Sequence, residues 1–515
     1  MATVDTERFR LRRFVERLVQ LGECETHDQA IDLIDVAAVL EGNPRATWFK
    51  AVGPEKAELI GNVMGSRKRL ALALDTDEAG LLPEITKRLS NPIKPVKVAG
   101  KDAPVQQVVL RGEDADLCAL PVHLQHGEDG APYISAGLDV MRFRDTGHSN
   151  IGCRRIMLRG PRQAGIDMIA PSDARAIYLE AVARGETTPV AYVVGSHPCD
   201  FMAAVSMNPP MDELEVLGAL RGAPVPIVKC VTSDIYVPAD AEYVLEGYLD
   251  NKGHVEPEGP FGEYVGYYGI VKRNPVFHLT AITRRRDALF QTSTIGGKTL
   301  GRTDTAQLSA LRTEIMIWRA LEVAVREPVA VYATTSSGGA FNVRVALRQR
   351  VPGEARNAIG ACMGALANCK NVYVVDPDVD IFSDEQMDWA MATRFQPDRD
   401  LIVMSGMRTL PLDPSLPPGS RVGAKAGYDL TWPFGMTDRL EVRVPAPPKF
   451  AGKRFASVEA ALADGPKFFE ELMAAVGSRD GREVVRTLGG LRDKLALDRD
   501  AEGRYFIKSG AAQKK

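Results

Sequence analysis

Several classes of protein are excluded by what this chain has little of. No run of about 18 apolar residues occurs in it, so no membrane-spanning helix is expected. The opening MATVDTERFRLRRF has no apolar signal core, and a cytoplasmic protein is the expectation. Neither sign of charge prevails. With 64 Lys and Arg against 67 Asp and Glu, a net −3, the basic excess of a nucleic-acid or anionic-membrane binder is missing. Cysteine is scarce: Cys24, Cys118, Cys153, Cys199, Cys230, Cys362 and Cys369 are odd in number, scattered and never C-x-x-C. That pattern excludes a disulfide framework or a zinc knuckle and fits reduced thiols. Aromatic residues make up only 7% of the chain, so any cluster of them carries information.

What is present is a large, core-forming sequence. Its 515 residues are 45% hydrophobic, enough for roughly two to four domains. Residues 1–45 carry helix-period apolar positions (Phe14, Leu18, Leu21, then Ala30, Leu33, Ile34) and read as two N-terminal helices. Residues 46–303 turn to short β-rich runs punctuated by Gly and Pro, such as LALALD, YISAGLDVMRF and PVAYVVG, the texture of an antiparallel sheet or barrel with inserted helices. Residues 304–325 form the longest clean helical stretch, with Asp304 or Thr305 as N-cap. From 326 to 515, runs such as VYVVDPDVD and LIVMS alternate with helical spans as in an α/β layer, ending in a polar tail, KSGAAQKK. No internal repeat is evident.

Four motifs invite chemistry. GGKT at 296–299 fails as a phosphate loop because Thr292 stands where its first glycine belongs, though a Gly-rich turn can still approach a ligand. DPDVDIFSDE at 376–385 lacks the central glycine and closing glutamate of a calcium loop and reads as a solvated strand-to-helix connection. His197 in GSHP is a structural residue, a metal ligand or a base. SNIGCRR at 149–155 sets Asn150 beside two arginines, a pattern suited to gripping a carboxylate or phosphate or simply to a surface pair.

The stretch HVEPEGPFGEYVGYYG at 254–269 is the most informative. Pro260 and Gly262 restrict a turn between Glu258 and Glu263, and paired acids held close cannot both ionise cheaply, which yields a proton donor at neutral pH. Phe261, Tyr264, Tyr267 and Tyr268 argue for burial.

In order along the chain, NIGCRR at 150–155, MNPPMDELEVLGALRG at 207–222, VKCVTSDIYVPADAEYVLEG at 228–247, EGPFGEYVGYY at 258–268 and GAKAGYDLTWP at 423–433 resemble the UbiD family of reversible, prenylated-FMN-dependent (de)carboxylases. The resemblance implies a mixed α+β and α/β architecture: a split β-barrel flavin-binding domain at 46–303, a long linking helix at 304–325, and a C-terminal α/β domain at 326–515 that makes a homodimer or hexamer. It implies non-oxidative decarboxylation of an aromatic or α,β-unsaturated carboxylic acid, releasing CO₂ through a covalent prenylated-FMN adduct. It also implies a separate flavin prenyltransferase supplying the cofactor, Mn²⁺ as divalent metal and K⁺ as monovalent cation. By correspondence, Arg155, Glu258 and Glu263 are catalytic; Asn150, Gly152, Cys153, Arg154, Ser206, Met207 and Glu213 hold the cofactor; Asn150, Glu213 and Asp173 hold the metal. There is a departure, because Ser172 and Asp173 stand where the family has a Gln-His pair and Arg154 replaces a small or aromatic residue. Aspartate is a competent hard-oxygen ligand. A non-catalytic flavin-binding subunit, or a carboxylase of a phenolic compound, are the alternatives.

Overall fold

The computed structural model describes residues 4–206, 210–417, 419–436, 439–494 and 496–508. Apolar residues spaced three and four apart give helix α1 (Leu11–Gln20) a single stripe, with Leu11, Phe14, Val15 and Leu18 buried. The second expected helix is much reduced. Cys24–His27 is a strand paired in parallel with Ala46–Val52, and only a 3-10 turn at Leu33–Asp35 and the short helix Val36–Leu40 remain helical. Ile34, read as a core position, is 65% exposed. Backbone pairing between residues 22 positions apart, Cys24 with Ala46 through His27 with Phe49, outweighs the local helical period there, a tertiary choice that a short window cannot show.

The β-rich middle closes on itself. Strands β1 (Tyr133–Arg142), β2 (Ser149–Gly160), β3 (Gln163–Ile166), β4 (Thr188–Val194), β5 (Tyr243–Leu249) and β6 (Val276–Arg284) run in the order β5-β4-β1-β2-β3-β6. Because β6 also pairs with β5, six antiparallel strands make a closed barrel without free edges. Alternation along β4 serves two cores. Val190, Tyr192 and Val194 pack with Leu245 and Phe277, while Ala191 and Val193 pack with Phe201 and Leu217. The latter two sit on helices between the strands: after α2 (Asp173–Ala183), capped by Ser172, come α3 (Pro198–Val205) and α4 (Glu213–Arg221). His197 is the cap of α3, buried edge-on against Phe9 and Phe14, and it works as a structural residue.

Helix α5 (Asp304–Ala324) spans the expected stretch, but its cap is Thr303, whose hydroxyl accepts from the Ala306 amide at 3.2 Å. Asp304 is buried instead and accepts from the Met64 and Thr294 amides at 2.5 and 2.8 Å. Beyond α5 lies a five-stranded sheet. Asn342–Leu347, Asn371–Val375 and Val422–Asp429 are parallel, and Pro328–Ala333 and Leu401–Arg408 are antiparallel edges. The 376–385 run is indeed a connection, with Asp378 bound to Arg394 at 2.7 Å and Ser383 capping Asp384–Arg394.

Two compact units divide after Thr431. Residues 326–431 of the expected C-terminal domain belong to the first unit, Met1–Thr431. The second, Trp432–Lys515, has its own core of Val458, Leu462, Leu472, Val484, Leu488, Leu497 and Tyr505, carried by three helices and a hairpin. Among the described residues no helix is long and apolar enough to cross a membrane.

Candidate active site

The acid-rich stretch folds as two stacked pairs of short strands. Glu256–Glu258 pairs with Lys272–Asn274, and Phe261–Gly262 pairs with Tyr268–Gly269. Between them Gly259 takes φ +97°, a left-handed conformation that suits glycine. A neighbouring loop fastens this bend: the Gly130 amide donates to the Pro260 carbonyl at 2.8 Å, and the Gly262 amide donates to Asp129 at 2.8 Å. Of the four aromatics, Phe261 is buried and Tyr264 partly so, while Tyr267 and Tyr268 are 62% and 43% exposed. Only the first half of the aromatic run lines an interior, because the hairpin turns back to solvent after Val265.

Glu258 and Glu263 are both buried and converge on one guanidinium. Arg155, on β2, donates through Nε to Glu258 Oε1 at 3.0 Å and through one terminal nitrogen to Glu263 Oε1 at 2.9 Å. Its other terminal nitrogen reaches Glu258 Oε2 at 3.3 Å and Asp167 Oδ2 at 2.9 Å. The guanidinium lies 4.4 Å over the Phe261 ring, which packs against Tyr133. Asn274 donates to Glu258 at 3.2 Å, and Lys272 stands 3.2 Å from Asp167 and 3.8 Å from Glu263. The Tyr133 hydroxyl is buried beside Glu258; burial first, and then the Glu258 charge, holds its proton on.

The charges do not cancel. Arg155 and Lys272 face Glu258, Glu263 and Asp167, so one carboxyl is left without a matching cation. Burial pushes Asp167 up, but Arg155 and then Lys272 bring it below the usual carboxylate range. At Glu263 burial prevails over the same two cations and the carboxyl is raised. Arg155 is itself held charged, since its acidic neighbours outweigh its burial. Arginine is effectively never deprotonated, so we assign the mobile proton to Glu263.

At the other end of the same strand Asn150 donates to Glu213 at 3.1 Å, and the Ile151 amide donates to the same carboxylate oxygen. The Glu213 carboxyl is pushed up to about 7 by burial, with Asp139 and Asp173 adding to the push. A surplus of oxygens and negative charge suits a hard divalent cation in chemistry. Asn150 and Glu213 would hold it, and Asp173 acts on Glu213 through space. Among the described residues no three His, Cys, Asp or Glu side chains stand close enough together to hold an ion. Arg154 is engaged elsewhere, donating to Asp139 at 3.0 Å, to the Asp167 carbonyl and to the hydroxyl of Ser172 at 3.0 Å. Gly152 makes room for Asp139, whose Oδ1 would lie 2.7 Å from a Cβ there and has no hydrogen-bond partner among the described residues. Cys153 is an exposed residue whose thiol is pushed up to about 12 by burial and then by the Asp139 charge. Ser206 is buried at the end of α3, donating to the Met202 carbonyl at 2.6 Å, and Met207 lies outside the described residues.

Sequence reasoning missed Asp167, Lys272, Asn274 and Tyr133. Lys272 lies opposite Glu258 in the hairpin, so alternation across 258–274 contained a signal for it. Tyr133 and Asp167 reach the site through the pairing of β1 and β3 on either side of β2.

Comparison with known proteins follows this geometry. The chain matches family profiles described as the 3-octaprenyl-4-hydroxybenzoate carboxy-lyase N-terminal domain over residues 15–89, Rift-related domain over 96–299 and C-terminal domain over 306–430. It is 31% identical over 427 residues to the anhydromevalonate phosphate decarboxylase of Methanosarcina mazei, covering 82% of this chain and 95% of that protein. Among solved structures, the UbiD-class enzyme HmfF from Pelotomaculum thermopropionicum in complex with FMN superposes with a TM-score of 0.80 at 30% identity, covering 85% of this chain and 98% of that one. The apo 3,4-dihydroxybenzoic acid decarboxylase of Klebsiella pneumoniae gives 0.78 at 27% identity, covering 85% and 97%.

Proposed function

The chain belongs to the UbiD family of carboxy-lyases, and from that premise we propose that it removes CO₂ from an aromatic or α,β-unsaturated carboxylic acid, with Glu263 as proton donor. The observation that carries this reading is the unmatched carboxyl in a buried cluster of two cations and three acids. Loss of CO₂ from an sp² carbon leaves electron density that no side chain absorbs, and prenylated FMN, when bound, supplies the electron sink. The protein's own part is orientation and proton delivery. Arg155 is permanently charged and presents parallel donors, the geometry that grips a carboxylate. An incoming carboxylate would compete with Glu263 for one of those donors. Glu263, whose carboxyl burial raises despite Arg155 and Lys272, takes up the proton and returns it to the carbon that loses CO₂. Glu258, held at two points by Arg155 and by Asn274, keeps the guanidinium aimed. Asn150 and Glu213, with Asp173 beside them, would hold Mn²⁺, while Gly152, Cys153, Ser206 and Met207 would line the cofactor and the Ser206–Met207 stretch would also take K⁺.

The similar proteins support the substrate class, since one acts on 3,4-dihydroxybenzoic acid and another on anhydromevalonate phosphate. Leu401 and Val403, 40% and 59% exposed on an edge strand of the C-terminal sheet, support assembly of copies of the chain through residues 326–431. The decisive experiment is to incubate protein loaded with prenylated FMN with a panel of such acids in D₂O. One deuterium at the former carboxyl carbon is expected. CO₂ release with no deuterium at that carbon would remove the proton-donor reading.

A further inference from the structure

An imidazole–carboxylate pair lies beside the acid hairpin and takes no part in the chemistry above. His126 Nδ1 stands 3.2 Å from Asp129 Oδ2, and buried Asp129 also accepts from the His126 amide at 3.0 Å and the Gly262 amide at 2.8 Å. A carboxylate so placed accepts the hydrogen bond from Nδ1–H and fixes the ring, leaving Nε2 as the nitrogen open to a ligand. The ring is wedged between two glycines. A Cβ on Gly262 would come within 2.4 Å of Nδ1, and one on Gly296 within 3.2 Å of Nε2 and 3.1 Å of the Glu263 carbonyl. Any other residue at Gly262 would push the imidazole away, so the chain leaves its backbone bare for this ring one peptide from Glu263.

Among the described residues Nε2 has no hydrogen-bond partner, and the side chain is 19% exposed. His126 borders a recess of about 30 Å³ together with Gln125, Ser293 and Thr294, room for a small polar group. One acid, Glu41, and one cation, Arg302, both border it, and the other polar groups lining it are the His123 imidazole, amides and hydroxyls. That balance suits an uncharged oxygen better than an anion.

Resting on the carboxy-lyase reading, we propose that His126, held by Asp129, determines specificity by hydrogen-bonding through Nε2 to a hydroxyl that the carboxylic acid carries away from its reacting carbon. The test uses protein loaded with unmodified FMN, so that binding is read without turnover. Calorimetric titration with benzoate and 4-hydroxybenzoate is expected to favour the hydroxylated acid by about tenfold, the worth of one such bond. His126→Asn keeps an amide donor near Nδ1 for Asp129 but removes Nε2, and should bring the two affinities within about twofold. His126→Gln, whose amide reaches further, should restore a preference. Thermal melting of all three proteins within a few degrees shows that the fold is intact. Equal affinities in the parent, no affinity for either acid, or an unchanged preference in His126→Asn each overturn the proposal. Failure of decarboxylation in D₂O would overturn the reaction and leave this selectivity to stand or fall by itself.

Discussion

Arg155 meets more negative charge than it can balance, and single-residue changes around it have calculable consequences. Glu263→Gln keeps the shape but holds no transferable proton, so kcat should fall by about 10²–10⁴ while flavin absorbance stays at the parental level. A Gln variant that turns over at the parental rate would show that another group supplies the proton. Gly269→Ala tests position alone. Its methyl would lie 2.8 Å from Glu263 Oε1 and the backbone there is not left-handed, so only the carboxyl is disturbed. A displacement of about 1 Å can cost on the order of 10² in rate. We expect reduced kcat with flavin occupancy preserved; unaltered kcat would mean that Glu263 needs no fixed aim. At this scale much was legible. Glu258 and Glu263 around Pro260 read as paired acids from the residues themselves, and the family resemblance joins Arg155 of NIGCRR to them. Asp167 and Lys272 were not, because what brings them in is strand pairing.

Single elements respond to pH through their caps. His197 accepts from the Cys199 amide at the start of α3, and burial, with Arg221 and Arg17, pushes its imidazole down to about 3. An ordinary histidine titrates near 6.5. The unfolded chain therefore binds the proton first as acid is added, and stability contributed by neutral His197 is complete above about pH 6.5 and lost progressively toward pH 3. The full loss is on the order of a few kcal/mol. Asparagine also caps helices but does not titrate. His197→Asn should flatten the fall in urea midpoint between pH 7 and 5; an identical fall would place the acid sensitivity elsewhere, with buried His123 the next candidate because it too is pushed down, to about 4. The elements themselves were unevenly readable. The α5 stretch stands out because its 21 residues repeat one helical period, whereas its cap was misplaced by a residue or two since Thr303, Asp304 and Thr305 are all capping types. The strand at Cys24–His27 was missed because four residues carry too little period to compete with the helix beside them.

At the scale of the molecule, the family profiles stop at residue 430 and a compact unit begins at Trp432. That unit has an apolar cluster of its own and a hairpin that pairs Leu497–Arg499 with Tyr505–Ile507. Residues 432–515 expressed alone should fold cooperatively, seen as a single sharp urea transition; a gradual loss of helical signal would show that this core does not suffice in isolation. Texture alone distinguished the β-rich middle from the α/β layer, but closure of the barrel depends on β5 meeting β6, a pairing no local window contains. The boundary at 431 was likewise hidden, since GAKAGYDLTWP runs across it without a break in composition.

Strand β2 also works as a ruler. Asn150 and Arg155 are five residues apart on it, so at about 3.3 Å per residue roughly 17 Å of extended backbone separates the ion-seeking end from the acid-facing end. Nothing adjustable intervenes. Gaining or losing one residue between them would turn the guanidinium to the reverse side of the sheet, and two would keep its side but move it by about 7 Å. Length within this segment is therefore far less free to drift over evolution than the identity of most residues in it.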